Sequence, residues 1–385
     1  MSRVTISKAL SYAPEQVEHA LARTLELVYP EGLGQLVKPG FTVALKVNML
    51  MGKTPERAIT THPAIVRAVC RAVLACGATP LIIDSPGGPY TPSMLKSAYE
   101  RCGFANVARE TGAVLNFDTT VEKVGGATGT LLNTAELLAP AVRANVIINL
   151  PKLKTHGLTL LTCAVKNMFG LVPGLTKIEY HMRMPEVRDF CGALVGIAEL
   201  AAPELTIVDA IEAMEGEGPS GGQPKFLGYL LAGTDMHALD MVAASIVGLR
   251  PEQVPTVAVA QQTVPRLAPL RLEDITVVGA TPTAHVLMLP EAAKNTNLFE
   301  KILPKPVAQR IARYLRPRPR FSAIKCTSCG ICVRSCPPKA LAARKQSVPE
   351  LTIEKCIRCF CCQELCPEHA VDVERSLLAR MLVRY

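Results

Sequence analysis

Residues 326–337 read CTSCGICVRSCP, and residues 356–367 read CIRCFCCQELCP. Both stretches follow one pattern, in which three cysteines stand three residues apart, a fourth comes four residues later, and a proline follows it. The second copy begins thirty residues after the first. This repeat predicts a small domain at the C-terminal end of the chain.

The repeat has the spacing with which bacterial-type ferredoxins hold two [4Fe–4S] clusters. In that arrangement three cysteines of one copy bind one cluster, and the fourth cysteine binds the other. The predicted ligands of cluster 1 are Cys326, Cys329, Cys332 and Cys366. The predicted ligands of cluster 2 are Cys356, Cys359, Cys362 and Cys336.

Paired zinc sites are the alternative, because a C-x2-C pair also suits tetrahedral zinc. Zinc needs only four ligands in two pairs, whereas each copy here offers three close cysteines and a fourth before proline. The pattern therefore favours iron–sulfur clusters. A ninth thiol, Cys361, lies between two predicted ligands. We interpret it as a bystander, with alternative ligation as the other interpretation.

Cysteine usage and the N-terminal segment indicate the compartment. Nine of the 14 cysteines lie between positions 326 and 366, which indicates metal binding rather than disulfides. Residues 1–16 have neither the apolar core of a signal peptide nor a paired-arginine export signal. No uninterrupted apolar stretch reaches the ~20 residues that span a bilayer. We therefore expect a cytoplasmic protein without a membrane span.

The positive charge of the chain is concentrated near the cysteine repeat. The net charge is +9, and the stretch from Lys301 to Lys345 has twelve Lys or Arg residues and no Asp or Glu. Nucleic acid is a poor candidate partner, because this stretch offers only Tyr314 and Phe321 for stacking on bases. We expect a redox partner protein with an acidic surface, or compensation of the anionic clusters, and no nucleic-acid binding.

The first 285 residues alternate strand-like and helix-like patterns. The predicted strands are 4–7, 42–47, 80–84, 114–117, 145–150, 205–209, 226–232 and 275–278, and the predicted helices are 14–28, 62–76, 92–102, 159–169, 186–201, 236–247 and 252–262. Such alternation predicts an α/β fold with a largely parallel sheet covered by helices. No glycine-rich dinucleotide or P-loop motif is present, so neither NAD nor P-loop binding is predicted.

These patterns divide the chain into four parts. The α/β domain takes residues 1–285, and residues 286–322 form a linker with a helix near 306–316 and the run RPRPR at 316–320. Residues 323–374 form a small α+β ferredoxin-like domain that holds the two clusters. Residues 375–385 form a C-terminal helix or tail.

Polar side chains gather where the predicted strands end, which is where α/β folds bind ligands. Lys and His side chains there can bind phosphate or carboxylate oxygens, so a small anionic molecule is a candidate ligand. The predicted cofactor-binding residues are Lys46, Asn48, Lys152, Lys154, Lys166 and Asn167. The predicted catalytic residues are His156, His181, Asp84 and Asp209. Histidine titrates near neutral pH and can donate a proton, while a carboxylate can accept one or orient a histidine.

Five separated motifs resemble those of the domain of unknown function 362 family. They are KVNML at 46–50, TTHP at 60–63, DSPG at 84–87, KLKTH with KNMFG across 152–170, and EGEGP at 215–219. The resemblance covers about residues 1–285, and family members often carry a C-terminal two-cluster ferredoxin domain. It implies this architecture and no established reaction.

The leading hypothesis is an oxidoreductase that passes electrons through two [4Fe–4S] clusters to or from a ligand in the α/β domain. A bound flavin or deazaflavin would connect one-electron clusters to two-electron chemistry. One alternative is a non-catalytic electron carrier or adaptor that docks on another redox complex. Another is an enzyme of phosphate or carboxylate compounds whose clusters are structural or sensory.

Overall fold

The computed structural model describes residues 2–126, 128–264, 266, 271–293 and 317–374. The helix predicted near 306–316 and the predicted terminal helix or tail at 375–385 lie outside these residues. Within the described part of the chain, no helix combines the length and the apolar composition needed to cross a membrane.

The first part of the α/β domain alternates strands and helices, as predicted. Its elements are β1 (Arg3–Lys8), α1 (Pro14–Val28), β2 (Thr42–Val47), α2 (Pro63–Ala75), β3 (Thr79–Ile83), α3 (Pro92–Arg101), α4 (Phe104–Thr111) and β4 (Val114–Leu115). Helix α1 illustrates the local cause. Proline opens it at Pro14, and its buried residues recur every three or four positions along one face.

The second part of the α/β domain contains the longest strands. Its elements are β5 (Val121–Gly125), β6 (Thr134–Leu138), α5 (Ala139–Val142), β7 (Val146–Leu150), β8 (Lys152–His156), β9 (Leu160–Thr162), α6 (Ala164–Met168), α7 (Thr176–Arg183), α8 (Val187–Ala201), β10 (Leu205–Glu215), β11 (Gln223–Gly233), α9 (Met236–Ile246), α10 (Pro255–Thr263) and β12 (Thr276–Gly279). The helix predicted at 159–169 is wrong in its first half. That half forms β9, because residues 160–162 pair with β8 across a tight turn.

Among the described residues, one ten-stranded sheet forms the centre of the α/β domain. Its order is β12-β1-β11-β10-β7-β2-β3-β4, with β8 beside β10 and β9 beside β8. Most neighbours are parallel, although β11 runs antiparallel to β1 and β10. Helices cover both faces, since Val43 and Leu45 of β2 pack with α1 and α2, whereas Ala44 joins the core that α8 and α9 complete. The predicted fold class is confirmed.

The C-terminal domain, called the cluster domain here, comprises the described residues 317–374. Its elements are β13 (Arg318–Phe321), α11 (Ile331–Arg334), β14 (Leu341–Ala342), β15 (Glu350–Leu351), α12 (Cys361–Glu364) and β16 (Val371–Glu374). Strand β13 pairs with β16, so the end of the predicted linker joins this domain's own sheet. The left-handed backbone before each short helix falls on Gly330 and on Phe360, at φ of 72° and 59°. Gly330 adopts a positive φ easily, because glycine lacks the Cβ that disfavours this conformation, whereas Phe360 does not.

Candidate functional site

The eight predicted cluster ligands surround two cavities in the cluster domain. One cavity is lined by Cys326, Cys329, Cys332 and Cys366. The other is lined by Cys336, Cys356, Cys359 and Cys362. Each cavity therefore takes three cysteines from one copy of the repeat and the fourth from the other copy.

The donor set around both cavities fits a cubane cluster. All four sulfurs at each cavity are cysteine sulfurs, which iron–sulfur clusters require. A single zinc ion would require its four ligand atoms to lie close together, because each Zn–S bond is about 2.3 Å long. Among the described residues, no three His, Cys, Asp or Glu side chains are gathered for a single metal ion. The fourth cysteine of each copy also accepts a backbone hydrogen bond, from Ala340 N to Cys336 and from Ala370 N to Cys366, both at 3.2 Å.

The two copies of the repeat face different surroundings. In the first copy Cys329 is exposed, and so is Arg334 at the end of its short helix. In the second copy Cys361 and Cys362 are buried. Glu364 occupies the position equivalent to Arg334, and its side chain is only 13% exposed. The second copy therefore packs against the α/β domain, whereas the first faces outward.

Polar contacts join helix α12 to the α/β domain. The Glu364 carboxylate lies 3.4 Å from Nε2 of His156, and the hydroxyl of Ser220 donates to the Glu364 carbonyl at 2.9 Å. Nearby, Lys53 donates to the carbonyl of Pro367. The loop at 216–222, which carries Ser220, is largely buried between the domains. These contacts place the second copy of the repeat over the ends of several sheet strands.

A cleft of about 70 Å³ lies beneath Glu364. Its polar lining consists of Lys46, Lys154, Lys166, Lys177, Asp84, Glu364, Asn48, Asn167, His156, Thr162 and Ser85. Seven of the ten residues predicted for binding or catalysis in the α/β domain line this cleft, namely Lys46, Asn48, Asp84, Lys154, His156, Lys166 and Asn167. With all groups ionised, four lysines face two carboxylates, so the cleft favours anions.

Two of these predicted residues, Lys46 and Asp84, form a buried ion pair in the cleft. Nζ of Lys46 lies 3.1 Å from Oδ1 of Asp84. Burial lowers the pKa of Lys46, and the Asp84 charge opposes that shift. Asp84 also accepts from the backbone N–H of Met49 and of Ser85. A Cβ atom on Gly170 would overlap both members of this pair, which explains a glycine there.

An amide network fixes the second lysine of the cleft. Nζ of Lys154 donates to Oδ1 of Asn48 at 2.9 Å and to the carbonyl of Ile59 at 2.8 Å. Nδ2 of Asn48 donates to Oδ1 of Asn167 at 2.9 Å. Burial, followed by the charge of Lys166, lowers the pKa of Lys154 to about 7. This amine therefore changes charge near neutral pH.

His156 is held as one neutral tautomer. Its Nδ1 accepts backbone hydrogen bonds from Leu158 at 3.0 Å and Thr159 at 3.3 Å. Nε2 must then carry the proton and donate toward Glu364. Burial, reinforced by Lys166, lowers the pKa of His156 well below its usual range. The imidazole can therefore donate a hydrogen bond into the cleft without bearing a charge.

Three predicted residues lie apart from the lining of the cleft. Lys152 and Asp209 form their own buried pair at 3.0 Å, bridged by the hydroxyl of Tyr12. Asp209 lies inside β10, which continues to Glu215, rather than at the strand end that the sequence predicted. His181 stacks on Phe190 at 4.2 Å, and burial lowers its pKa to about 3.

The predicted binding and catalytic residues do not include four polar residues of the cleft, Ser85, Lys177, Thr162 and Glu364. Thr162 was placed inside a helix, so its pairing with β8 was not foreseen. Glu364 lies in the cluster domain and was not considered as part of a site in the α/β domain. A comparison of the two repeats gives a signal for it, because Arg334 and Glu364 are equivalent positions of opposite charge.

Comparison with known proteins assigns both parts of the chain. Residues 43–245 match the family described as "Domain of unknown function (DUF362)", and residues 318–367 match a "4Fe-4S dicluster domain". The "Thylakoid-associated protein sll1697" of Synechocystis sp. is 34% identical over 291 residues, which cover 74% of this chain and 83% of that protein. Among solved structures, the lactate racemase apoprotein from Thermoanaerobacterium thermosaccharolyticum matches with 13% identity and a TM-score of 0.38, over 61% of this chain and 55% of that one.

The match at residues 43–245 spans more than half of the chain and coincides with the motifs noted in the sequence. The prediction of family and of a two-cluster domain is thereby confirmed. This chain is an iron–sulfur protein that belongs to the DUF362 family and carries a C-terminal 4Fe–4S dicluster domain.

Proposed function

We propose that this protein is an oxidoreductase that passes electrons through two [4Fe–4S] clusters to or from a small anionic molecule in the cleft. One observation carries the proposal. Glu364, two residues after the predicted cluster 2 ligand Cys362, lines the same cleft as Lys154 and Lys166. The cluster domain and the α/β domain therefore both contribute side chains to the cleft.

The cluster ligands in this proposal are those that line the two cavities. Cluster 1 takes Cys326, Cys329, Cys332 and Cys366, and cluster 2 takes Cys356, Cys359, Cys362 and Cys336. Bound clusters of this type supply one-electron transfer at potentials between roughly −700 and +450 mV. The chain supplies the thiolates, the backbone N–H donors to sulfur, and the burial of the second copy.

The two clusters have different roles because their surroundings differ. A cluster held by Cys356, Cys359, Cys362 and Cys336 would supply one-electron transfer to the cleft, because Cys361 and Cys362 of this copy are buried. A cluster held by Cys326, Cys329, Cys332 and Cys366 would supply it to a partner protein, because Cys329 is exposed. Lys325, Arg334 and Lys345 are exposed around this end. Their charge favours a partner with an acidic surface.

In the cleft, the side chains bind and orient the ligand. Lys166 and Lys154 attract an anionic group, and the Nε2–H of the neutral His156 donates a hydrogen bond toward it. Asp84 orients Lys46 rather than accepting a proton, because it already receives the Lys46 ammonium and two backbone N–H groups. Lys152 and Asp209 support the strands behind the cleft.

The size of the cleft bears on the organic cofactor considered above. A flavin or deazaflavin would require α12 to move, because ring-sized ligands occupy several hundred Å³ and the cleft has about 70 Å³. The observed arrangement favours a small substrate that reacts without such a cofactor. The small size equally favours the second candidate, a non-catalytic electron carrier. We also propose a cytoplasmic location. The Synechocystis relative is named as thylakoid-associated, so association with such a compartment is the alternative.

The test is anaerobic purification of the full chain, followed by metal, sulfide and chromophore analysis and a redox titration. We expect about eight iron and eight sulfide ions per chain, which is two cubanes of four each. Small carboxylates and phosphate esters are then screened for the ability to reoxidise the reduced clusters. Reversible cluster reduction without any such reaction would favour the carrier, and zinc without sulfide would refute both candidates.

A further inference from the structure

The hydroxyl of Thr162 is buried in the cleft without a partner. Thr162 is 4% exposed and lines the cleft, and its Oγ1 has no hydrogen-bond partner among the described residues. It lies directly opposite Lys154 across β8 and β9, so the two side chains share a face of the sheet. Buried hydroxyls are nearly always hydrogen-bonded, so this one calls for a ligand.

The ammonium group of Lys166 is also available in this cleft. Its Nζ lies 4.9 Å from the centre of the Phe169 ring and 5.9 Å from that of Phe190. Within the described part of the chain, no hydrogen-bond acceptor is paired with it. The other cleft lysines are already engaged, since Lys46 contacts Asp84, Lys154 donates to Asn48, and Lys177 donates to the carbonyl of Ser85.

These two groups have complementary chemistry. An ammonium group and a hydroxyl can both donate to oxygen atoms of one anionic group, as charge-assisted hydrogen bonds require. The excess of lysines over carboxylates adds long-range attraction for an anion. The volume of about 70 Å³ restricts the buried part of the ligand to a group of a few heavy atoms.

We propose that Thr162 and Lys166 form an oxyanion subsite that binds a carboxylate or phosphate group of the ligand. This rests on the proposed function only in treating the bound anion as the substrate. Thr162 determines specificity here, because its hydroxyl is buried away from water and can donate a hydrogen bond only to an acceptor on the ligand. Lys166 provides the charge, and the aromatic rings beneath it hold its stem in place.

The subsite can be tested by calorimetric titration of the anaerobically purified full chain with inorganic phosphate and, separately, with acetate. We expect one of the two anions to bind and Thr162→Val to weaken it about tenfold, the loss of one charge-assisted hydrogen bond. Thr162→Ser keeps the hydroxyl and retains binding. Lys166→Met weakens binding at least as much as Thr162→Val. Thr60→Val is the control, because Thr60 is buried outside the cleft lining, and it leaves binding unchanged.

The outcomes separate the ligand classes and the two proposals. Tighter binding of phosphate identifies a phosphate group, and tighter binding of acetate identifies a carboxylate. Failure of both anions to bind, or wild-type affinity in Thr162→Val and Lys166→Met, overturns the subsite. The visible spectrum of the same samples shows separately whether the clusters can be reduced. Clusters that cannot be reduced would refute the oxidoreductase, and the binding result would still stand.

Discussion

The carboxylate of Glu364 lies 3.4 Å from Nε2 of His156, which joins the last turn of α12 in the cluster domain to the end of β8 in the α/β domain. His156 is buried, and the Glu364 side chain is 13% exposed. Burial raises the pKa of Glu364 to about 7, and Lys166 and Lys154 oppose that shift. One carboxylate thus connects the cluster domain to the cleft of the α/β domain.

Reversal of the charge at this contact should release the cluster domain. Glu364→Arg would place a fifth cation beside the cleft lysines and cost about 3 kcal/mol of docking free energy, the scale of an unpaired buried charge. We expect faster proteolysis between the domains and faster hydrogen exchange at residues 152–156. The matched control is Arg334→Glu, the equivalent exposed position of the first copy. Equal rates of proteolysis and of hydrogen exchange in Glu364→Arg and the wild type would contradict the docking role of this contact.

A methyl group at Gly170 should break the buried ion pair of the cleft. The new Cβ would overlap Asp84 and Lys46, so one member of the pair must move and lose its partner. We expect Gly170→Ala to lower the free energy of unfolding of the α/β domain by about 3 kcal/mol, as for other broken buried pairs. Gly34→Ala is the control, because nothing lies within 4 Å of its added Cβ. Similar chemical denaturation midpoints for both variants would argue against the steric explanation.

The fold was predictable where its signals are local. Strand β2 is a short apolar run, and helix α1 has a proline start and an apolar stripe, so both could be identified from the sequence. Strand β9 could not, because residues 159–169 also have helical spacing and only the pairing with β8 decides between the two structures. The spacing of the repeat also predicted which cysteines line each of the two cavities, because all eight predicted ligands lie within the repeat.

The cleft was predictable only in part, for a related reason. Lys46, Asn48 and Asp84 follow strands, and the rule that ligands bind at strand ends groups them. Glu364 reaches the same cleft from another domain, and no rule about sequence spacing connects it to His156. Tyr12 was missed as a partner of the Lys152 pair because it lies in a loop without any motif.

Anion binding in the cleft should weaken as the pH rises above about 7. Lys154 has a pKa of about 7 in the folded protein, so the cleft loses a positive charge above that pH. The charged groups that act on it are Lys166, Glu364, Lys152 and Asp84. Acetate is the suitable ligand, because its own charge is constant above pH 6. We expect its affinity to fall between pH 6 and pH 9, and Lys154→Met to reduce that dependence. Lys177 and Glu364, whose pKa values are also about 7, supply the rest.

The pKa of Lys154 also predicts whether the free energy of unfolding rises or falls with pH. Unfolded lysine keeps its proton up to the ordinary value of 10.5, whereas folded Lys154 releases it near 7. Between these values the unfolded state binds more protons, so the free energy of unfolding rises with pH. In Lys154→Met this rise should be smaller, as measured by chemical denaturation at pH 7 and pH 9. An unchanged pH dependence in the variant would mean that Lys154 stays charged in the fold.

Electron exchange at cluster 1 should depend on ionic strength and on the surface near Cys329. Exposed charges attract an acidic carrier protein at low salt and are screened over about 10 Å at 0.1 M ionic strength. We expect Lys325→Glu with Arg334→Glu to slow reduction by an acidic one-electron carrier about tenfold. Lys38→Glu with Lys96→Glu, which reverses two exposed lysines of the α/β domain, is the control with the same change in net charge. If stopped-flow rates fall equally in both proteins, the partner does not dock at this end.

The ninth thiol offers a test of the cluster ligand set. Cys361 is buried at the start of α12, next to the predicted ligand Cys362, and it is absent from the lining of both cysteine cavities. We expect Cys361→Ala to retain about eight iron ions per chain, because the four thiolates of each cluster remain. Cys359→Ala is the comparison, since it removes one of those thiolates and should reduce the iron content and change the electron paramagnetic resonance signal of one cluster. Loss of iron in Cys361→Ala with full retention in Cys359→Ala would show that Cys361 is the ligand and that the second copy binds its cluster through a shifted set of cysteines.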